Sequence, residues 1–151
     1  KLWQPYHESD EWVAHALKEM NLRDHVEFTG TYTQAEAPHL YSRAHILIHT
    51  KYADPCPGLI PEALGCGLPI VYVDNGGTPE LVQDAGIGVH VEHSWETITL
   101  PEPNDMAAAV MQVYSRIDEY SQIARQQAQK FALESFVARH RDIFARVLDL
   151  K

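Results

Sequence analysis

The sequence contains few cysteines and few basic residues. Its 151 residues include two cysteines, Cys56 and Cys66, a number that excludes a disulfide scaffold and a four-cysteine zinc site and is typical of a reducing compartment. Lys and Arg number 12 against 21 Asp and Glu, so the formal charge is -9. A chain of this charge repels polyanions unless its basic residues gather on one face. No basic cluster is visible, so we do not expect a nucleic-acid partner, and we expect a cytoplasmic protein.

Long apolar runs are also missing. Segments such as residues 46–48 and 68–73 are far shorter than the roughly 20 residues that a membrane-spanning helix requires. We therefore expect no membrane span, although peripheral association stays open. The chain starts at Lys1 without a charged and apolar leader, which suggests a fragment or a processed chain. It also lacks a P-loop and the Gly-x-Ser-x-Gly turn of nucleophilic hydrolases.

Nine histidines raise the question of a metal site. On a strand, His45 and His49 would share a face but lie roughly 13 Å apart, too far to bind one ion. His90 and His93 flank the end of a predicted strand, and no carboxylate cluster at ligand spacing accompanies them. We therefore interpret these histidines as packing or surface residues and expect no metal.

Strand and helix patterns alternate along the chain. Apolar, often β-branched segments predict strands at residues 1–3, 26–28, 44–49, 69–73 and 87–91. The first predicted helix follows Ser9 or Asp10 as its cap, and the second begins at the capping box of Thr33 and Glu36. Further helical patterns cover residues 59–65, 78–86 and 104–151. This order predicts an α/β fold, with a Rossmann-like parallel sheet flanked by helices and ligands beyond the carboxyl ends of the strands.

The long helical region near the end of the chain carries two sets of apolar positions at helical spacing. The first set is Met106, Val110, Val113 and Ile117, and the second is Phe136, Ile143, Phe144, Val147 and Leu148. We expect both sets to belong to the core.

Residues 54–80 hold the most informative pattern. The loop from Asp54 to Gly58 follows a predicted strand and precedes the helix that starts at Leu59, and residues 74–77 have the same position before the helix at Thr78. Both helices would direct unpaired N–H groups toward one edge of the sheet, which favours a diphosphate. Asp54 and Glu62 lie on either side of the first turn, and two carboxylates beside an anion site suggest a ligand with vicinal hydroxyls.

In this segment the sequence resembles the family 4 glycosyltransferases of the GT-B fold. The matching residues are Asp54, Gly58, Glu62, Ala63, Gly67, Pro69 and Val71, followed by Gly76, Gly77, Pro79 and Glu80 in a Gly-Gly-x-Pro-Glu element. Residues 26–30 and 41–44 also match the family's usual approach to this motif. The resemblance covers nearly the whole chain, and the combined motifs are far more specific than a lone Gly-x-Gly.

The resemblance implies that residues 1–151 are the donor-binding domain of a hexosyltransferase, which is retaining by family inference alone. Asp54 would meet the donor sugar as the catalytic residue, and Glu62 would bind the donor ribose. The remaining donor contacts would come from Cys56, Pro57, Gly58, Leu59, Ile60, Gly76, Gly77 and Thr78. The implied substrate is a nucleotide-diphosphate sugar, with no cofactor. A separate acceptor domain and an upstream basic pair that clamps the diphosphate are not in this sequence, so we expect the isolated chain to be inactive.

The match has three departures from the family pattern. Asp54 replaces a glutamate and withdraws the carboxylate by roughly 1.5 Å, one methylene; residues 55–58 read Pro-Cys-Pro-Gly; and Pro61 directly precedes Glu62. Two alternatives to a glycosyltransferase stay open. The first is a non-catalytic module that binds a sugar nucleotide or a partner, and the second is a sugar-nucleotide epimerase of related fold, whose acid and histidine pattern we do not find. Glu80 could also act only through the helix dipole.

Overall fold

The computed structural model describes residues 7–149, with the side chains of residues 12–148. The chain forms two compact units that divide after Thr33. The first contains helix α1, His7–Glu19, and a short 3-10 turn, Arg23–His25. Because α1 begins at His7, Ser9 and Asp10 lie inside the helix, and the prediction that one of them caps it was wrong. The strand predicted at residues 1–3 lies outside the described residues.

Residues 26–28 do not form a strand, contrary to the sequence prediction. Val26 has an extended backbone, with φ -124° and ψ 123°. Alternating apolar residues therefore predicted the local conformation correctly, but a strand also needs a hydrogen-bonded neighbour. No strand within residues 7–149 pairs with this segment.

The second unit is built on a parallel sheet of three strands in the order β1-β2-β3. Its strands are β1, Leu47–His49, β2, Ile70–Val73, and β3, Gly86–Val89. Val71 of the middle strand pairs with Ile48 on one side and Ile87 on the other. All four residues of β2 are buried, as its continuous apolar sequence predicted, because helices cover both faces of a parallel sheet.

Six helices of the described residues belong to this unit. They are α2, Ala37–Ser42, α3, Leu59–Gly65, α4, Thr78–Val82, α5, Pro103–Ser115, α6, Ile117–Ala128, and α7, Leu133–Asp149. On one face of the sheet, Ile70 and Tyr72 pack against buried residues of α3, α4 and α6. On the other face, Val71 and Val89 pack against Ala109 and Val113 of α5. Alternate residues of β2 thus face opposite layers, and the predicted α/β architecture is confirmed.

Several predicted bounds shift in the structure. Helix α2 begins at Ala37 with Glu36 as its N-cap, so the helix starts later than the capping box at Thr33 predicted. Strand β1 covers only Leu47–His49 of the predicted residues 44–49. Helix α4 ends at Val82, and a 3-10 turn, Gln83–Ala85, leads into β3.

The two C-terminal apolar sets have different outcomes. The prediction for the first set is confirmed, since Val113 is fully buried and Met106, Val110 and Ile117 pack beside it. The prediction for the second set was wrong. Phe136, Ile143, Phe144, Val147 and Leu148 are 49–67% exposed on α7. No helix in the described part of the chain is long and apolar enough to cross a membrane.

Candidate functional site

Two loops at the carboxyl edge of the sheet are joined by hydrogen bonds. One connects β1 to α3 and the other connects β2 to α4. The N–H of Gly77 donates to the carbonyl of Asp54 at 2.8 Å, and the N–H of Ala53 donates to Oδ1 of Asn75 at 2.9 Å. Ala53 adopts a left-handed backbone with φ 50°, which is uncommon for a residue other than glycine. The side chain of Asn75 therefore holds a strained turn directly before Asp54.

The Gly-Gly turn is required by this close approach. Gly76 has φ 63°, and a Cβ there would lie 2.4 Å from the carbonyl oxygen of Asp54. A Cβ at Gly77 would lie 2.1 Å from the carbonyl oxygen of Pro55. Both obstacles are backbone atoms, which no side-chain rotation can move. The two glycines thus allow the loops to form one continuous rim.

Asp54 is nearly buried at this rim and lies beside two basic side chains. Its Oδ2 lies 3.1 Å from Nζ of Lys51 and 3.6 Å from Nε2 of His49. Burial lowers the pKa of His49, although the negative charge of Asp54 opposes that shift. His49 is therefore neutral at pH 7, and its buried Nε2 has no hydrogen-bond partner within bonding distance. The sequence predicted a packing or surface role for His49, and its position beside the predicted catalytic acid was not predicted.

Glu62 lies in the first turn of α3, with its side chain exposed. The hydroxyl of Tyr41 donates to its Oε2 at 3.1 Å. This bond restricts the carboxylate while leaving one oxygen for a ligand. Tyr41 belongs to the 41–44 segment that matches the family pattern, but no role for its side chain was predicted.

The other predicted donor contacts lie in the turn before α3, in the first two residues of α3, Leu59 and Ile60, and at the start of α4. Cys56 and Gly58 are exposed, whereas the side chains of Pro57 and Ile60 are buried. The N–H of Ile60 already donates to the carbonyl of Pro57 at 3.1 Å, so this amide serves the turn itself. Thr78, at the start of α4, is buried and its Oγ1 has no partner.

A cavity of about 460 Å³ opens beside the Gly-Gly turn. It is lined by Tyr52, Ala53, Pro55, Asn75, Gly76, Gly77, Glu80, His93, Ser94 and Trp95. The structure thus brings the predicted residues Gly76 and Gly77 together with Glu80. Asp54 and Glu62 are not in the lining of this cavity.

The residues His93, Ser94 and Trp95 were not predicted to belong to the site. The hydroxyl of Tyr52 accepts a hydrogen bond from the N–H of Ser94 at 2.9 Å and donates to its carbonyl at 3.1 Å. Nε2 of His93 donates to the carbonyl of Asp74 at 2.9 Å. The segment follows the carboxyl end of β3, so the rule that selected the other two loops could have selected this one.

Comparison with known proteins decides the family. Residues 7–131 match the family model described as "Glycosyl transferases group 1", which is most of the chain. The chain belongs to the group 1 glycosyl transferases. Its predicted resemblance to glycosyltransferases of the GT-B fold is confirmed.

The curated relatives of this chain are longer proteins. The chain is 29% identical over 83 residues to spore coat protein SA of Bacillus subtilis, matching 54% of the chain and 22% of the relative. It is 25% identical over 116 residues to the O-antigen chain mannosyltransferase B of Escherichia coli, matching 73% of the chain and 27% of the relative. The chain therefore spans about a quarter of the length of these curated relatives.

A solved structure shares the fold. Anabaena HepE, in complex with UDP-glucose, superposes with a TM-score of 0.68 at 24% identity, and the match covers 97% of this chain and 38% of HepE. The complex of HepE with UDP gives a TM-score of 0.69 at 25% identity. The glycosyl transferase chain thus has the GT-B type of α/β fold.

Within the residues that the structure describes, no three His, Cys, Asp or Glu side chains are grouped closely enough to hold an ion. Asp54 has two basic neighbours and Glu62 has a tyrosine neighbour. The recorded neighbours of both carboxylates are thus basic or phenolic side chains.

Proposed function

We propose that the chain supplies the donor site of a retaining hexosyltransferase and binds a nucleotide-diphosphate sugar at the carboxyl edge of its sheet. The observation that supports this most directly is the rim in which Gly77 donates to Asp54. It joins the two loops of the family motif into one surface. The UDP-glucose complex of HepE, a protein of the same fold, supports the ligand class.

Each predicted residue has a role in this proposal. Glu62, held by Tyr41, accepts hydrogen bonds from the two ribose hydroxyls of the donor. Asp54 faces the donor sugar, with Lys51 at 3.1 Å offsetting its negative charge. Backbone N–H groups of Cys56, Gly58 and Gly76 contact the sugar and the diphosphate. Such a site acts by positioning the donor and stabilising the departing diphosphate, and we propose that it needs no metal or cofactor.

The acceptor is proposed to bind to a separate domain of the parent protein. The relatives are about four times longer than the matched region, which leaves room for such a domain. We propose that the 151-residue chain binds the donor but transfers no sugar alone, and that the parent protein is cytoplasmic.

Calorimetric titration with UDP, GDP and their glucose and mannose derivatives tests the proposal. We expect saturable binding of at least one nucleoside diphosphate and of its sugar derivative. Glu62→Gln should weaken both, because it removes a charged acceptor of ribose hydroxyls, whereas Glu134→Gln, an exposed acid on α7, serves as the control. Absence of binding to every probe contradicts the proposal. Donor binding without any transfer by the full-length parent protein favours the non-catalytic alternative.

A further inference from the structure

Asn75 carries an amide group whose donors are unused. Its side chain is 5% exposed, and Nδ2 has no hydrogen-bond partner. The orientation of the amide is determined, because the N–H of Ala53 can only donate and must therefore face Oδ1, 2.9 Å away. A buried donor without a partner destabilises the protein unless a ligand or water satisfies it. Asn75 lines the cavity beside the Gly-Gly turn, so a molecule bound there can provide the missing acceptor.

Another part of the cavity wall carries Trp95. Its side chain is fully exposed, which leaves a large apolar surface in water. The segment that presents it is held in place by the paired hydrogen bonds of Tyr52 with Ser94 and by the bond from His93 to Asp74. Ser94 Oγ also accepts from the N–H groups of the two residues that follow Trp95, at 3.1 Å each. The indole thus belongs to a loop that these hydrogen bonds hold at the edge of the cavity.

The geometry points to a subsite for a saccharide ring, in which Nδ2 of Asn75 donates to a ring hydroxyl and the indole of Trp95 covers a C–H face of the ring. This assignment rests on the proposed function for the source of the sugar, which is either the donor's glycosyl group or a saccharide acceptor. The proposed function assigns no role to the side chain of Asn75 or of Trp95.

The chemistry of the lining favours a saccharide over other small molecules. An anion would meet the carboxylate of Glu80, which also lines the cavity. A wholly apolar molecule would leave Asn75 unpaired. A sugar hydroxyl can accept from Asn75, another can donate to Glu80, and the C–H face of a pyranose is apolar enough to gain from contact with an aromatic ring. The volume of about 460 Å³ lies within the range of about 300–1,000 Å³ usual for small-molecule sites.

Asn75→Asp tests the proposed hydrogen bond most specifically, because it keeps an oxygen that accepts from the N–H of Ala53 and removes both N–H donors of the amide. Trp95→Ala removes the aromatic face, and Trp95→Phe restores part of it. The probes are UDP and GDP, their glucose and mannose derivatives, and the methyl glycosides of glucose and mannose. Affinity is measured by calorimetry, and the indole N–H cross-peak of Trp95, assigned by its loss in Trp95→Phe, reports contact with the ring.

If the ring is that of the donor, both Asn75→Asp and Trp95→Ala lower the affinity for the sugar nucleotide by about three- to tenfold. This is the effect of one neutral hydrogen bond or one aromatic contact. Affinity for the nucleoside diphosphate without sugar stays unchanged, which separates the lost amide donor from the negative charge that Asn75→Asp adds. If the ring is that of an acceptor, the same variants lower the affinity for the methyl glycoside and leave the affinity for the sugar nucleotide unchanged. Trp95→Phe should recover part of the affinity in either case.

Two results overturn the subsite. The first is that the Trp95 cross-peak shifts with none of the sugar-containing probes. The second is that Asn75→Asp changes the affinity for nucleoside diphosphates and sugar nucleotides by the same factor and leaves the affinity for the methyl glycosides unchanged. Failure of every nucleoside diphosphate to bind counts against the proposed function instead, and the methyl glycosides still test the subsite in that case.

Discussion

Gly77→Ala is expected to separate the two loops of the site. A methyl group at this position would lie 2.1 Å from the carbonyl oxygen of Pro55, against 3.4–4 Å for ordinary contact. The loops must therefore move apart by about 1 Å or more, which lengthens the 2.8 Å hydrogen bond from Gly77 to Asp54 beyond the limit of about 3.2 Å for a good bond.

The magnitude follows from three contributions. Overpacking costs about 1–3 kcal/mol, and the lost hydrogen bond costs about 0.5–1.5 kcal/mol. Replacing glycine by alanine recovers about 0.4–1 kcal/mol, because it restricts the unfolded chain. We therefore expect Gly77→Ala to lower the free energy of unfolding by about 1–3 kcal/mol and to abolish detectable donor binding.

Urea denaturation and calorimetry with a sugar nucleotide measure the two effects. Gly65→Ala is the matched control, since Gly65 ends α3 and a Cβ there meets nothing within 4 Å. That variant should be as stable as the parent or more stable, and it should bind the donor normally. Equal stability and equal binding in the two variants would refute the close approach of the loops.

Three further predictions concern the acids, His49 and the core. Glu62→Gln should weaken nucleoside diphosphate binding by about 1.5–3 kcal/mol and by more than Glu80→Gln does; equal losses in calorimetry argue against the ribose role. Burial lowers the pKa of His49 from 6.5, so as the pH falls this histidine is protonated in the unfolded protein before it is protonated in the folded one. The contribution of His49 to stability is therefore present above about pH 6.5 and is lost as the pH falls, by at most about 1.4 kcal/mol per pH unit. His49→Asn should reduce this dependence of the free energy of unfolding on pH, measured by urea denaturation. An unchanged dependence counts against a lowered pKa of His49. Val113→Ala, at a fully buried site, should cost about 2 kcal/mol, whereas Val147→Ala, 55% exposed, should cost less than about 0.5 kcal/mol.

The central part of the fold could be predicted from local patterns. Helix α3 has the predicted bounds, Leu59–Gly65, because a glycine before it and the Gly65 to Gly67 segment after it mark both ends. Strand β2 was recognisable from the continuous apolar run at residues 70–73. The Gly-Gly turn was placed correctly, since it follows β2 and precedes a helix with Pro79 in its first turn.

The remaining features depend on contacts between distant residues. Tyr52 and Ser94 are 42 residues apart, and no local pattern indicates that they bind. Phe136 and Phe144 form an apolar stripe at helical spacing, but the pattern does not specify what the stripe packs against, and both are exposed. The position of His49 was equally hard to predict, because the spacing of residues 49 and 54 in the sequence does not indicate that Nε2 of His49 lies 3.6 Å from Oδ2 of Asp54.

Backbone amide shifts on adding a sugar nucleotide show most directly whether the donor binds at the carboxyl edge of the sheet. We expect the largest NMR shift changes in the non-proline residues of segments 54–60 and 75–78, on the two loops at this edge. A second cavity of about 270 Å³, lined by Gln83, Asp84, Gly86, Arg116, Glu119, Tyr120 and Ile123, provides the contrast. Shift changes centred on that cavity, with none at residues 54–60 or 75–78, would mean that the donor does not bind at the carboxyl edge of the sheet.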